Sequence, residues 1–259
     1  MLCASFNLIF AIQIKYMRNL LLSILFLCVC QAARAQMFFE VGLKGGGGVS
    51  MLINENTMQD NRINKTPSYA YSYGFKAGFD FSEEYAIIGE YIWTQLNQNN
   101  NYNNSSSAKI IKNIQLNAVN IPILFRYNSD NGSYLEIGPR LGYRKTVLES
   151  GTASSDISSK FEEKTYGAVF GFGSILFATD NIYGTLGIRF DTGVSDIISN
   201  AGGKNSTKYY PIDNADLTTN YAKYAGTFPI SVQMMLELNW DLGYFARSKC
   251  KKRAGFIMF

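Results

Sequence analysis

The sequence contains no histidine, although it carries many acidic and basic side chains that could take part in chemistry. Histidine is the usual base in Ser-His-Asp and Cys-His nucleophilic pairs, so those catalytic designs are excluded. Acidic residues such as Glu136 and Glu237 could act as a general acid and a general base. Ion pairing between structural side chains is the commoner use of such residues, and we expect it here. The sequence therefore predicts a protein that is not an enzyme and has no catalytic residues.

Two further motifs could suggest a ligand site. The glycines at 45–48 resemble part of a phosphate-binding loop, but no Gly-Lys-Ser or Gly-Lys-Thr follows them. Asp213 and Asp216 could contact a cation, but they lack the spacing of a calcium-binding loop. We therefore expect neither a cofactor nor a metal site.

The N-terminus has the features of a cleaved signal peptide. Met17 and Arg18 begin a short basic segment, and residues 20–30 form an apolar core. Residues 33–35 read Ala-Arg-Ala and offer a cleavage site before Gln36. We expect residues 1–35 to be an N-terminal extension and a signal peptide, with the true start at Met17.

Processing changes both the charge balance and the cysteine content. Removing residues 1–35 takes away three of the 24 basic residues and none of the 20 acidic ones, which leaves a net charge of +1. A chain so close to neutrality gives no reason to expect nucleic acid as a partner. Only Cys250 remains, so an internal disulfide is excluded. We divide the mature chain into one β-barrel at 36–246 and a basic tail at 247–259.

Most of the mature chain alternates apolar and polar residues, which is the pattern of half-buried strands. The fourth alternating run changes parity between Ala118 and Ile121, which predicts a β-bulge near Asn120-Pro122. The eight runs are 37–51, 69–81, 85–96, 113–128, 135–147, 163–178, 182–191 and 228–242.

The connections between these runs alternate between short and long. Short connections follow the even-numbered runs, whereas the odd-numbered runs are followed by 52–68, 97–112, 149–160 and 195–226. Bacterial outer-membrane barrels have short periplasmic turns and longer outer loops. We therefore predict an all-β fold, an eight-stranded antiparallel up-and-down transmembrane β-barrel with short periplasmic turns and long extracellular loops, in the cell outer membrane. The Asn-rich stretch 97–107 is expected to be a flexible, solvated loop.

The alternation leaves open which face of the strands points inward. A lipocalin-like soluble barrel would place the apolar face inside and bind a lipid there. An eight-stranded barrel has an interior just wide enough for side chains to fill, and here the polar face is rich in small glycines while the apolar face carries the rings. We therefore expect lipid around the apolar face and a network of ion pairs that plugs the lumen. The network is predicted to consist of Glu40, Lys44, Lys76, Glu90, Glu136, Arg140, Arg144, Arg189, Asp191 and Glu237, with Arg140 and Arg189 at its centre.

Three segments carry distinctive motifs. Residues 120–127 read Asn-Ile-Pro-Ile-Leu-Phe-Arg-Tyr, and residues 134–143 follow with a central Gly-Pro. This pair resembles the "IP-apolar-apolar-x-basic-Tyr … Gly-Pro" segment of the PorT-like, porin-family outer-membrane β-barrel proteins of Bacteroidetes. Residues 187–197 are similar to that family's "Gly … Tyr-Gly-Leu-x-Asp-Ile" segment, with Thr192 and Val194 in place of Tyr and Leu. The resemblance implies a barrel in the outer membrane; most members have no assigned biochemistry, and the name-giving member takes part in a secretion system.

These observations favour a non-enzymatic barrel that is structural or binds a partner. The expected partners are outer-membrane lipid and a protein of the cell envelope or of a secretion system, and the barrel is expected to be a monomer. Charges in the lumen would also suit a small passive channel, although eight strands leave little room for one. A lipid-modifying enzyme is disfavoured by the missing histidine, and a lipocalin-like soluble ligand binder by the volume of the aromatic face.

Overall fold

Eight long antiparallel strands close into a barrel in the computed structural model. The structure describes residues 38–103, 109–150, 154–179, 181–205 and 221–244. Each barrel strand pairs with its neighbours along the chain, and the first strand pairs with the last, which closes the ring. The predicted eight-stranded up-and-down barrel is therefore confirmed. No helix in the described part of the chain is long and apolar enough to cross a membrane.

The strands are numbered in chain order, and β6 is a short extra strand that pairs with β5 outside the ring. Their bounds are β1 Phe38–Ile53, β2 Ile63–Asp80, β3 Tyr85–Asn103, β4 Lys109–Asn128, β5 Ser133–Ser150, β6 Ser154–Asp156, β7 Lys164–Ala178, β8 Ile182–Gly193 and β9 Phe228–Tyr244. One short α-helix, α1, spans Glu55–Gln59, and two 3-10 turns span Ser158–Lys160 and Asn200–Gly202.

The connections divide between the two ends of the barrel as the sequence predicts. The short connections between β2 and β3, between β4 and β5 and between β7 and β8 lie at one end, which we call the turn end. The other end, the loop end, carries the longer connections, whose described parts are 54–62, 154–163, 194–205 and 221–227.

Side chains alternate between the lumen and the exterior along the strands. On β2, every even-numbered residue from Ser68 to Asp80 is buried and every odd-numbered one between them is exposed. The exposed set carries the rings, and Tyr73, Tyr91 and Trp93 pack together on the outer wall with ring centroids 5.6 and 4.9 Å from Trp93. An apolar exterior of this extent requires lipid around it, which is the arrangement of a membrane barrel and the reverse of a lipocalin-like one.

Outward-facing polar side chains mark where the apolar wall ends on the loop side. Tyr71 Oη donates to Gln95 Oε1 at 2.8 Å, and Gln115 Nε2 donates to the same oxygen at 3.1 Å. Asn117 Nδ2 continues the row with a 2.9 Å hydrogen bond to Thr146 Oγ1. Polar side chains are unfavourable in hydrocarbon even when they are hydrogen-bonded to one another, so this row favours a membrane boundary across β2 to β5.

The predicted bulge near Asn120-Pro122 is wrong. The pairing of β3 with β4 keeps one register through this region, and the even-numbered residues of β4 point inward along its described length. The irregularity lies instead opposite Asn117 and Ala118, where β5 accommodates Lys145 as an extra residue. The parity of the sequence changes because Ile114 and Leu116 are buried inside the barrel mouth, whereas Ile123 faces lipid. Both environments select apolar residues.

The prediction that the Asn-rich stretch at 97–107 is a loop is wrong for residues 97–103. Residues 97–103 continue β3 and pair with residues 109–115 of β4. Buried Asn97 and Gln98 use their side chains to bond backbone oxygens, with Asn97 Nδ2 donating to the Tyr69 carbonyl at 3.0 Å. Backbone ladder bonds do not depend on side-chain type, so a hairpin can continue above the membrane through residues of low strand propensity.

The mouth of the barrel at the loop end is closed by an apolar cap. The loop segments between β5 and β7 and between β8 and β9 turn inward, and Phe161 and Ile198 form a β-bridge between them. Backbone bonds from Glu162 N to Ile197 O at 2.8 Å and from Ile197 N to Thr227 O at 3.0 Å hold these segments together. The apolar cap consists of Leu52, Ile114, Leu116, Val147, Ile157, Phe161, Ile197 and Ile198.

Several sequence predictions fall on residues outside the described ranges. These are the signal peptide and its cleavage site before Gln36, the loop acids Asp213 and Asp216, and the basic tail at 247–259 with Cys250.

Candidate functional site

The centre of the lumen is filled by eight charged side chains that contact one another. They come from seven of the eight barrel strands, and four are cationic and four anionic, so the group is neutral as a whole. We call this group the ion cluster; it consists of Glu40, Lys44, Lys76, Glu90, Arg126, Glu136, Arg189 and Glu237.

Lys44 of β1 lies at the middle of the ion cluster. Its Nζ is 2.9 Å from Glu90 Oε1, 3.2 Å from Glu136 Oε1 and 2.6 Å from Glu237 Oε1. The side chains of Lys44, Glu90 and Glu237 are fully buried. An ammonium group donates three hydrogen bonds, so three carboxylates satisfy it completely.

Two arginines bridge the same carboxylates from other walls. Arg126 Nη2 lies 2.7 Å from Glu136 Oε2 and 2.8 Å from Glu237 Oε1. Arg189 makes a two-pronged contact with Glu90 at 2.7 and 2.8 Å and also reaches Glu136 at 2.9 Å. Such bidentate, charge-assisted bonds fix the orientation of both partners.

Lys76 extends the ion cluster toward the turn end. Its Nζ is 3.1 Å from Glu237 Oε2 and 3.0 Å from Glu40 Oε1. Glu40 also accepts a hydrogen bond from the hydroxyl of Tyr183 on β8. Lys76 on β2 and Tyr183 on β8 therefore connect the ion cluster to the two strands that flank the β1–β9 pair in the ring.

β7 contributes no charged side chain to the ion cluster, but its Gly171 leaves room for the Glu136 side chain. A Cβ on Gly171 would lie 2.7 Å from Glu136 Oε1 and 2.8 Å from its Cγ. Gly78 on β2 stands in the same relation to Glu40, whose Oε1 and Cγ would be 2.5 and 2.6 Å from an added Cβ. Both distances are below normal contact, so glycine at these positions lets the carboxylates lie flat against the wall.

The remaining predicted residues lie apart, nearer the loop end. Arg140 pairs with Asp191 through Nε and Oδ1 at 2.8 Å and donates from Nη1 to Asn120 Oδ1 at 2.9 Å. Arg144 is half-buried and donates from Nε to the carbonyl of Glu162 at 3.2 Å. The prediction that Arg140 lies at the centre of the network is therefore wrong, because Arg140 is outside the ion cluster. Arg144 is outside it as well, and its charge acts on the carboxylate of Asp156.

Arg126 is the member of the ion cluster that the sequence prediction missed. The parity of the apolar residues changes along its strand, β4, so the sequence pattern does not define a single inward face there. With one register along β4, Arg126 shares a face with Asn120 and Leu124, all three of which are buried. The sequence signal is at the odd positions: Ile123, Phe125 and Tyr127 face outward, which places Arg126 between them on the inward face.

Three carboxylates of the ion cluster are close enough together to suggest a metal site. Oxygen atoms of Glu90, Glu136 and Glu237 lie within 4.8 Å of one another. The Lys44 ammonium contacts all three and stands where a cation would bind. Arg126 and Arg189 balance the remaining charge, so the arrangement favours internal ion pairing over metal binding.

The two closures together determine what the lumen can do. The ion cluster fills the middle of the barrel, and the apolar cap covers its mouth at the loop end. A water-filled path would have to pass both. The site is therefore suited to holding the barrel wall rigid.

The comparison with protein families agrees with this architecture. A family model described as an outer membrane protein beta-barrel domain matches residues 31–199. None of the curated protein sequences matches the chain.

Among solved structures, the outer membrane protein OprG from Pseudomonas aeruginosa is 11% identical, with 80% of this chain and 96% of OprG covered and a TM-score of 0.44. Ail, the attachment invasion locus protein of Yersinia pestis, is 10% identical, with 79% and 99% covered and a TM-score of 0.38. Neisserial surface protein A is 12% identical, with 77% and 95% covered and a TM-score of 0.37.

Proposed function

Because the chain belongs to the family of outer-membrane proteins with a β-barrel domain, we propose that it is a non-enzymatic, closed barrel whose loop end binds a protein partner. The protein is in the outer membrane, surrounded by lipid. The observation that carries the proposal is the double closure of the lumen by the ion cluster and the apolar cap. A barrel that is filled in this way serves as a rigid support for what it displays.

The displayed surface is held by specific contacts between loops. Asn54 Nδ2 donates to the carbonyl of Ala225 at 2.7 Å, and Asn56 Nδ2 donates to that of Lys223 at 2.7 Å. These bonds fasten the β1–β2 loop to the segment before β9. A preorganised surface loses little conformational entropy on binding, which favours recognition of a partner.

An ionised carboxylate adds to this contact. Arg62 donates hydrogen bonds to Asp60 and lowers the pKa of that carboxyl to about 2. Asp60 Oδ2 in turn accepts from the hydroxyl of Tyr221 at 3.0 Å. Because the folded-state pKa is depressed, this contact is present at neutral pH and is lost as the pH falls through about 2.

The finer assignment is to the PorT-like proteins of Bacteroidetes. The motifs at 120–127, 134–143 and 187–197 support it. On this basis the partner is a protein of the cell envelope or of a secretion system, and the barrel acts as a monomer.

In vivo crosslinking tests the proposal. A photo-crosslinking amino acid at exposed Arg62 or Lys223 should capture a discrete protein in intact cells, while the same probe at Asn131 in a turn-end loop should not. All three positions are exposed, but Arg62 and Lys223 lie at the loop end and Asn131 lies at the turn end. Adducts at Asn131 alone would move the partner site to the opposite rim, and no adduct at either end would contradict partner binding.

A small passive channel is the second candidate, favoured by the charged lumen. The two closures predict that purified protein in planar bilayers does not conduct. Stable, ion-selective single-channel currents would replace the proposed function with this one.

A further inference from the structure

Two lysines interrupt the uncharged outer wall of the barrel. Lys145 of β5 and Lys164 of β7 are the exposed charged residues among the described side chains of the eight strands of the ring. No Asp or Glu in the described parts of those strands is exposed. The charge that this wall presents outward is therefore positive and lies in one place.

The pairing of β5 with β7 brings the two lysines together. Lys164 is directly opposite Tyr143, and Lys145 lies two residues further along β5. Lys145 is the extra residue of the irregularity on β5, where both it and Thr146 are exposed. A β-bulge re-aims side chains in this way. Two residues along a strand and one strand across place the two Cα atoms roughly 8 Å apart, so one group can contact both side chains.

The lysines lie at the edge of the apolar wall on the loop side. Thr146, the residue after Lys145, belongs to the row of outward polar side chains that favours a membrane boundary. Lys164 Nζ lies 5.9 Å from the centroid of the Tyr143 ring, so its stem follows the wall while its charge can reach the headgroups. Tyr166, 60% exposed, is the next outward residue along β7, and aromatic rings are common at this depth.

The acidic residues nearby do not cancel this charge. Glu149 is paired with Lys112 and Glu162 with Lys204, each at 2.9 Å. Glu163 precedes Lys164 and lies outside the strand. With Glu163 counted against the two lysines, the patch still has a net positive charge and attracts anions.

We propose that Lys145 and Lys164 together bind a phosphate group on the headgroup of an outer-leaflet glycolipid, whose acyl chains lie against the apolar wall. Each ammonium group donates charge-assisted hydrogen bonds to phosphate oxygens, and two of them match a doubly charged phosphate. A zwitterionic phospholipid carries its own cation, which competes with the lysines for the phosphate. The assignment to the outer leaflet rests on the proposed orientation of the loop end, and the site is additional to partner binding.

Native mass spectrometry with diphosphoryl lipid A tests the site. The full chain, refolded in a nonionic detergent, should retain lipid A, and Lys145→Gln/Lys164→Gln should weaken the affinity about tenfold or more. Lys145→Arg/Lys164→Arg should bind as the wild type does, because a guanidinium also bonds phosphate. Arg62→Gln/Lys223→Gln is the matched control, because it removes two positive charges from exposed loop-end residues away from the wall.

Equal weakening in the control variant would show that net charge alone attracts the lipid, and would overturn the site. Phosphatidylglycerol bound as tightly as lipid A, with the same loss in the lysine variant, would overturn the choice of a glycolipid. Migration on unheated gels checks that each variant is a folded barrel. If the double glutamine variant does not fold, Lys145→Gln and Lys164→Gln are compared singly with Lys223→Gln, and no difference would contradict the site. The result in detergent does not depend on the orientation of the barrel, which cysteine labelling measures separately.

Discussion

At the scale of single residues, removing one charged side chain from the ion cluster leaves its buried partners without a counter-charge, which lowers the stability of the barrel. Arg126 connects Glu136 to Glu237, and both carboxylates are almost completely buried. A buried carboxylate that loses a cationic partner keeps its desolvation penalty while part of the compensating attraction disappears. The stability of the barrel should therefore respond more strongly to Arg126 than to Arg140, a buried arginine outside the ion cluster.

We predict that Arg126→Met destabilises the barrel by about 3–5 kcal/mol, the cost of breaking a buried ion pair from one side. Arg140→Met should cost less, because its one carboxylate partner, Asp191, retains 19% of its side-chain exposure. Leu236→Ala on the lipid-facing side leaves the ion cluster intact. Reversible urea unfolding in phospholipid vesicles measures all three, and an Arg140→Met variant less stable than Arg126→Met would refute this ranking.

Two glycines allow a matched test of packing inside and outside the barrel. We predict that Gly171→Ala lowers the free energy of unfolding by about 1–3 kcal/mol, because the added methyl group displaces the Glu136 carboxylate. Gly89 faces outward, and a Cβ there would have no atom within 4 Å. Gly89→Ala should therefore be neutral or stabilise by up to about 1 kcal/mol. Equal effects of the two substitutions in urea unfolding would show that the glycine at 171 does not make room for the ion cluster.

At the scale of elements, the loop end is organised around the junction of β1 and α1. Asn54 is buried there and serves two elements: its Oδ1 accepts from Thr57 N at 3.2 Å as the N-cap of α1, and its Nδ2 donates to Ala225 O and Thr227 Oγ1. One side chain thus holds both the short helix and the strand entry of β9.

Asn54→Ala should weaken both connections at once. Loss of an N-cap costs about 1 kcal/mol, and the carbonyl of Ala225 also loses its partner. Amide hydrogen exchange should accelerate at Thr57 and at residues 225–227, while the middle of β2 stays protected. Asn56→Ala removes a single exposed bond to Lys223 O and should change exchange little. Unchanged protection in Asn54→Ala would contradict the anchoring role of Asn54.

At the scale of the whole molecule, the barrel has two unlike ends, and its orientation in the membrane follows from them. The turn end consists of the short connections between β2 and β3, between β4 and β5 and between β7 and β8. The loop end carries the hairpin of β3 and β4 and the apolar cap. Barrels of this class place long loops outside the cell, so we propose that the loop end faces outward and both chain termini lie in the periplasm.

Cysteine labelling in a Cys250→Ser background tests this orientation. Asn205→Cys in the β8–β9 connection should react with a membrane-impermeant maleimide on whole cells, because Asn205 is exposed at the loop end. Asn131→Cys, equally exposed at the turn end, should react after lysis and not before. Labelling of Asn131→Cys on intact cells would reverse the proposed orientation.

Processing of the N-terminus is a separate prediction for the whole chain. The mature protein should begin at Gln36, after the Ala-Arg-Ala sequence at 33–35. Mass spectrometry of protein purified from outer membranes measures this, and retention of residues 17–35 would contradict cleavage.

The sequence by itself determined the period of the strands, their number and the side that faces lipid. Apolar side chains alternate with small or polar ones along β2 and β9, and an eight-stranded lumen is too narrow to hold the rings of β2. The short connections also fixed which end carries the turns. The strand period and the lengths of the connections are local properties, and the side that faces lipid follows from side-chain volume, so all of them can be recognised from the sequence.

Only the tertiary structure decided how the charges pair and where the apolar residues of β4 point. Arg126 lies 111 residues from Glu237 along the chain, and no local pattern selects Glu237 from the other inward acids. Ile114 looks like a lipid-facing residue because the apolar cap and the membrane both select apolar side chains. The partners of a residue inside a closed barrel depend on the register of every strand in the ring, and that register is fixed when the ring closes.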